Sequence, residues 1–232
     1  MSDVNALELS HAESESRALI RRVYNWMTFG LAATGAIAWY MAAHPALIVA
    51  LIKTPVLFYG LMIAELLMVV ALAGWVQRMA ASTAALVFML YAGLNGITMS
   101  AIFLAYTSSS IATAFFVTAG TFGAMSLYGY TTKTDLTRVG NLCFMGLIGI
   151  IIASVVNLFL KNETMYWITS YVGILIFVGL TAYDTQKIKN LGRVGEAGSD
   201  IEKKAAISGA LMLYLDFINL FIMILRVMGR RR

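Results

Sequence analysis

The stretch MAASTAALVFMLYAGLNGITMSAIFLAYTSSSIATAFFVTAGTFGAMSLYGYTT (79–132) holds no Lys, Arg, Asp or Glu in 54 residues. One helical crossing of a bilayer needs about 20 apolar residues, so this run suffices for two crossings and is far too long for one soluble core helix. The whole chain agrees: 60% of its 232 residues are hydrophobic and 12% charged, about half the charged share of a soluble domain. The fold class that follows is an all-α integral membrane protein, a helical bundle with little mass outside the bilayer.

Apolar stretches of crossing length occur at 23–43, 56–76, 83–106, 110–131, 139–160, 165–186 and 206–228, which predicts seven transmembrane helices. The polar run YTSSS (106–110) separates the third from the fourth. His44-Pro45 closes the first and Thr54-Pro55 opens the second, because proline disfavours helix at the residue before it. Residues 1–22 form a polar tail and 229–232 a basic one. The N-terminal tail carries Asp3, Glu8, Glu13 and Glu15 with no apolar core, so no cleavable signal is expected and the first segment reads as an uncleaved anchor. Its ordinary reading is disorder.

Charge sets the expected orientation. With the N-terminus in the cytoplasm, Arg17, Arg21, Arg22, Arg78, Lys133, Arg138, Lys187, Lys189, Arg193, Lys203 and Lys204 lie inside, against Lys53 and Lys161 outside. Seven crossings put Arg226, Arg230, Arg231 and Arg232 outside as well, for eleven against six. A re-entrant last segment broken near Asp216 would return them to the inside. Residues 206–228 contain no proline, which favours a full span.

Three acids interrupt the hydrophobic segments: Glu65, Asp184 and Asp216. Asp216 has eleven uncharged residues before it and nine after it, and Glu65 has eleven and twelve, so both sit near mid-membrane. A carboxylate at that depth costs roughly 2.5–3.5 kcal/mol on insertion scales and is therefore rare and functional. Asp184 lies at the cytoplasmic end of the sixth segment, shortly before Lys187 and Lys189, where pairing with Lys187 or capping a helix end stands level with a functional role. Ser208, Met212, Asp216 and Asn219 share an arc of about 80° on the last helix. Asn95 and Asn157 join Ser208 and Asn219 as candidates for a polar lining, although such residues are more often interhelical hydrogen-bond partners. Ala119 and Gly123, four apart, mark a surface for close helix approach.

Several chemistries are excluded or disfavoured. His11, His44 and the single Cys143 form no cluster suited to zinc, copper or haem, and no cofactor is expected. The net charge of +5 sits in loops and at helix ends, and no phosphate-binding glycine loop precedes a helix, so nucleic acid is not a partner.

Four stretches carry a resemblance: YAGLNGITMSAIF (91–103), FFVTAGTFGAMSLYGYTTKTDL (115–136), VGLTAYDTQKIK (178–189) and LYLDFINLFIMILRVMG (213–229). In that order they resemble the Bax inhibitor-1 family, also called the transmembrane Bax inhibitor motif family, with residues 1–22 outside the match. The short loops and charged N-terminal tail are similar to bacterial members. The resemblance implies a seven-helix bundle whose last helix is central and surrounded by the first six. It implies a pH-sensitive calcium leak channel in a bacterial inner membrane; eukaryotic members regulate calcium stores and cell death. Asp184 and Asp216 stand at the positions of the family's proton-sensing aspartates, and Glu65 at the acid of the second helix. The family's gating latch is an arginine near the end of helix two, and the nearest one here is Arg78, in GWVQRMAAS.

Residue chemistry leads the same way. Two carboxyls close together in a low-dielectric site share a proton and titrate as a pair. Carboxylates also supply the oxygen ligands calcium prefers, which makes Asp184 and Asp216 the candidate calcium ligands and the bilayer and calcium the expected partners. A rival is an intramembrane aspartyl protease, which also sets two aspartates on neighbouring helices. Its Gly-x-Gly-Asp and Pro-Ala-Leu motifs are missing here, so no enzyme activity is expected. A third reading is an interaction protein that modulates a membrane protease or another membrane complex through residues 1–22.

Overall fold

The computed structural model describes residues 2–192 and 199–231, with side chains from residue 13 onward. Arg193 and Arg232 of the charge tally, and the side chain of His11, lie outside the described residues. The described chain is helical: α1 (Ser2–Ala43), α2 (Pro45–Lys53), α3 (Pro55–Trp75), a 3-10 turn (Val76–Arg78), α4 (Ala81–Met99), α5 (Ile102–Ala105), α6 (Ser108–Thr131), α7 (Thr137–Leu160), α8 (Glu163–Gly192) and α9 (Asp200–Met228). Among the described residues six helices are long and apolar enough to cross a membrane, and a seventh span is reached if α1 and α2, bent by 95°, count as one.

The breaks have local causes. Pro45 and Pro55 each occupy the first turn of a helix, where the missing N–H is no loss. Thr107 caps α6 by accepting a bond from the Ser110 N–H at 3.3 Å. Lys161 ends α7 in a left-handed conformation, φ 49°. Asn157 Oδ1 accepts the Asn162 N–H at 2.8 Å just beyond that end.

One expectation fails at the N-terminus. Residues 1–22 read as a disordered polar tail, yet α1 runs without a break from Ser2 into the first hydrophobic segment. No proline or glycine interrupts residues 2–29. Its inner face is also used: Leu19 and Val23 are buried, Ser16 Oγ donates to the Lys189 carbonyl at 2.8 Å, and Arg22 pairs with Glu202 at 3.0 Å.

The described residues fall into two compact units, 1–105 with 188–214 and 106–187 with 215–232. In the first unit α1 and α3 both pack on α4, and Tyr214 of α9 meets Phe88 and Tyr91 of α4 edge to face. Lys204 Nζ donates to the Gln77 carbonyl at 3.3 Å, at the end where Arg22 meets Glu202. In the second unit Phe217 of α9 lies against Phe115 and Phe122 of α6, with ring centroids 5.7 and 5.5 Å apart. Of the six apolar helices α9 is the most buried, 61% of its apolar window against 6% for α3 and α7. The outward apolar side chains of α3 and α7 are what a lipid-facing helix presents.

The segment before Asp184 is held by glycines. A Cβ at Gly129 of α6 would strike the backbone of Ala182, and one at Gly140 of α7 would strike the Tyr183 ring. Gly123, expected at a helix contact, faces open space instead. Spacing alone does not distinguish it from Gly129; the rotation of α6 does. Gly129→Ala therefore lowers stability by about 1–3 kcal/mol through overpacking. Gly123→Ala is neutral or stabilising by up to ~1 kcal/mol of helix propensity. Thermal unfolding of the two variants in detergent micelles checks the contrast.

Candidate functional site

Asp184 of α8 and Asp216 of α9 are neighbours, their carboxyls within hydrogen-bonding reach of each other. Asp216 is 4% exposed, and among the described residues its Oδ2 has no N–H or O–H donor. The neighbouring hydroxyls of α8 give none, because Thr181 and Thr185 donate to the carbonyls of Phe177 and Thr181. Lys187 is an electrostatic neighbour of Asp184, but no ion pair within 4 Å joins them among the described residues. A carboxylate only accepts hydrogen bonds. A bond between these two side chains therefore requires a proton on one of them.

The turn before α7 fixes the depth of Asp184. Gln186, two residues on, donates from Nε2 to the Thr134 carbonyl at 2.8 Å and accepts the Leu136 N–H on Oε1 at 2.9 Å. In the same turn Asp135 accepts from the Thr137 hydroxyl and N–H at 2.6 and 2.9 Å, which holds its carboxyl below the ordinary range. This two-way clasp was not foreseen. Its signal was present, since Gln186 and the TTKTDL turn fall in two of the four quoted stretches.

Glu65 belongs to a different network, in the first unit. Thr98 Oγ1 donates to Glu65 Oε1 at 2.9 Å, and the Asn95 side chain lies close by. Asn95 Oδ1 accepts from the Tyr214 hydroxyl at 3.2 Å, and Tyr214 lies 2.6 Å from Thr34 Oγ1, itself bonded to the Ala92 carbonyl at 2.8 Å. Thr34, Thr98 and Tyr214 escaped the sequence reading because a threonine or tyrosine in an apolar helix carries no signal of its own.

The remaining candidates disperse. Ser208 and Met212 line a cavity of about 270 Å³ together with Glu15, Gln77 and Glu202. Asn219 donates to the Leu215 carbonyl of its own helix at 2.8 Å. Asn157 works as the cap described above. Arg78 ends the 3-10 turn, is exposed, and has no ion pair among the described residues. Among those residues no group of three or more His, Cys, Asp or Glu could hold a metal ion.

The family described as inhibitor of apoptosis-promoting Bax1 (Bax1-I) matches residues 16–232. The match starts before residue 23, so it takes in Ser16, Leu19 and Arg22, which the motif comparison had left outside. The chain is 52% identical over 212 residues to the inner membrane protein YbhL of Escherichia coli, covering 91% of each. It is 43% identical over 219 residues to a protein of Rickettsia prowazekii, covering 93% of this chain and 91% of that one. Over 217 residues it is 41% identical to a protein of Deinococcus radiodurans, again covering 93% and 91%.

The Tyr214 hydroxyl bridges two helices of the first unit while its ring packs independently. Tyr214→Phe keeps the ring and removes both bonds, so stability falls by about 1–2 kcal/mol. Thermal unfolding measures the loss. A double variant with Thr34→Val loses less than the sum of the two single changes, as expected for directly bonded partners.

Proposed function

This chain belongs to the Bax inhibitor-1 family, and we propose that it is a pH-sensitive calcium leak channel gated by the proton shared between Asp184 and Asp216. The observation that carries the reading is the buried Asp216 Oδ2, with no donor among the described residues and the Asp184 carboxyl in reach. With one proton the pair holds a single negative charge and bonds α8 to α9. Without it, two carboxylates face each other in a low-dielectric site and repel. The helices are then driven apart at the depth where a cation would pass. Calcium favours the doubly ionised state, because it binds through carboxylate oxygens. It takes six to eight oxygens, so two carboxylates suit an ion in transit better than a resident one. Glu65, the third membrane acid, lines the path in this reading, and Arg78 latches the closed state.

The same reading places the N-terminus in the cytoplasm of a bacterium and the bundle in its inner membrane. Charge asymmetry supports the orientation, and the name of the Escherichia coli relative supports the membrane.

Calcium flux into liposomes holding the purified chain tests the proposal. Asp184→Asn and Asp216→Asn, which keep shape but remove titration, each flatten the dependence of flux on pH across about pH 5 to 9, the span in which perturbed carboxyls titrate. Unchanged flux and unchanged pH dependence in both variants would sink the idea. Arg78→Ala raises the leak at neutral pH; an unaltered leak removes Arg78 from the mechanism while leaving the aspartate pair in it.

A further inference from the structure

We propose that the C-terminal end of the second unit is a binding site for the phosphate group of an anionic phospholipid. A cavity of about 450 Å³ opens where the α7–α8 turn meets the end of α9, lined chiefly by Lys161, Glu163, Tyr166, Trp167, Arg226 and Arg231. The guanidinium carbons of Arg226 and Arg231 lie 5.5 and 5.4 Å from the centroid of one ring, that of Tyr166. Arg231 Nη2 also donates to the Tyr166 hydroxyl at 3.0 Å.

The tail that supplies Arg231 is held in place by its backbone. Arg231 forms an antiparallel bridge with Tyr106, the Thr107 N–H donates to the Arg230 carbonyl at 3.2 Å, and the Arg230 N–H donates to Ser110 Oγ at 3.0 Å. Three cations thus converge on one hollow against a single acid, Glu163, and among the described residues none of the three has a carboxylate within 4 Å. Gathering like charges is unfavourable unless an anion joins them. Two guanidiniums beside an ammonium match a phosphate, because the planar fork of arginine bonds two of its oxygens at once.

The surroundings say which phosphate. Leu158, Phe159 and Leu160, the last turn of α7 before Lys161, are 73%, 83% and 63% exposed. Trp167 and Tyr171 stack on the outer face of α8 with centroids 6.2 Å apart. Apolar side chains give way to Trp and Tyr where a bilayer meets water, so the hollow lies at headgroup depth. A phosphodiester in it would leave its acyl chains along the bare surface of α7. Basic pockets between transmembrane helices are known to hold anionic headgroups on the cytoplasmic side of membranes, and the same charge chemistry applies here.

The experiment uses the full chain in nanodiscs of phosphatidylcholine with a minor fraction of phosphatidylglycerol, with retained lipid counted by native mass spectrometry. The wild type retains phosphatidylglycerol in preference. Arg226→Gln with Arg231→Gln lowers that retention about tenfold, the loss of one or two charge-assisted bonds. Arg230→Gln removes the same charge from the same tail outside the cavity lining and retains the lipid as the wild type does. Should the double variant fail to fold, Lys161→Gln is read in its place, with a fall of about threefold expected. The proposal is overturned by any of four results: no preference for phosphatidylglycerol, an equal loss with Arg230→Gln, no loss on removing the lining cations, or displacement of the lipid by millimolar inorganic phosphate. The last would mark a site for soluble phosphate.

Discussion

A carboxyl buried in an apolar helix must find a proton or a cation, and Asp216 finds the Asp184 carboxyl. That requirement ties the geometry of the pair to the packing of α8 and α9. The pair does not position itself. Ala182 and Tyr183, just before Asp184, are pressed by Gly129 and Gly140, and Gln186 just after it is bonded on both sides to the 134–136 turn. Asp216 is followed by Phe217, wedged against Phe115 and Phe122. Each carboxyl is thus placed by the residues beside it.

Polar groups elsewhere in the bundle meet the same requirement by other means. On α9 alone, Asn219 bonds its own helix, Tyr214 bonds across to Thr34 and Asn95, Ser208 borders a cavity, and Asp216 faces a second acid. Tyr214 and Asp216 are two residues apart, so they point to nearly opposite sides of the helix. Glu65 differs from the aspartates in kind. Its carboxyl accepts from the Thr98 hydroxyl, a donor that suits the charged form, whereas among the described residues Asp216 Oδ2 has no such donor.

Features that follow from one residue type at one depth were legible in the sequence. Pro45 marked the end of the first helix and Pro55 the start of another, the uncharged run 79–132 marked two spans, and Asp216 stood out as an acid deep in an apolar segment. Features that depend on which way a helix faces were not. Gly123 and Gly129 look alike on paper, but only the second meets a neighbour. The N-terminal tail reads as polar and loose because its charges are visible and its buried stripe, Ser16, Leu19 and Val23, is thin. The arginines after α9 read as a violation of charge asymmetry because nothing in the sequence shows that Tyr106, Ser110 and Tyr166 receive them.

Those arginines bear on the last span. Returning them to the N-terminal side would require α9 to break near Asp216, and α9 is one helix from Asp200 to Met228. Breaking it would strip partners from up to four N–H and four C=O groups, each costing several kcal/mol where no water reaches. At 1.5 Å per residue its 29 residues extend about 43 Å, beyond the ~30 Å hydrocarbon core. In the second unit the end of α9 is bonded to the turn before α6 and to the first turns of α8. In a chain that crosses at every long apolar segment, both of those turns lie opposite the N-terminus. Seven full spans would put the tail on that same side, where the Tyr166 ring and the backbone bonds to residues 106–110 hold Arg230 and Arg231.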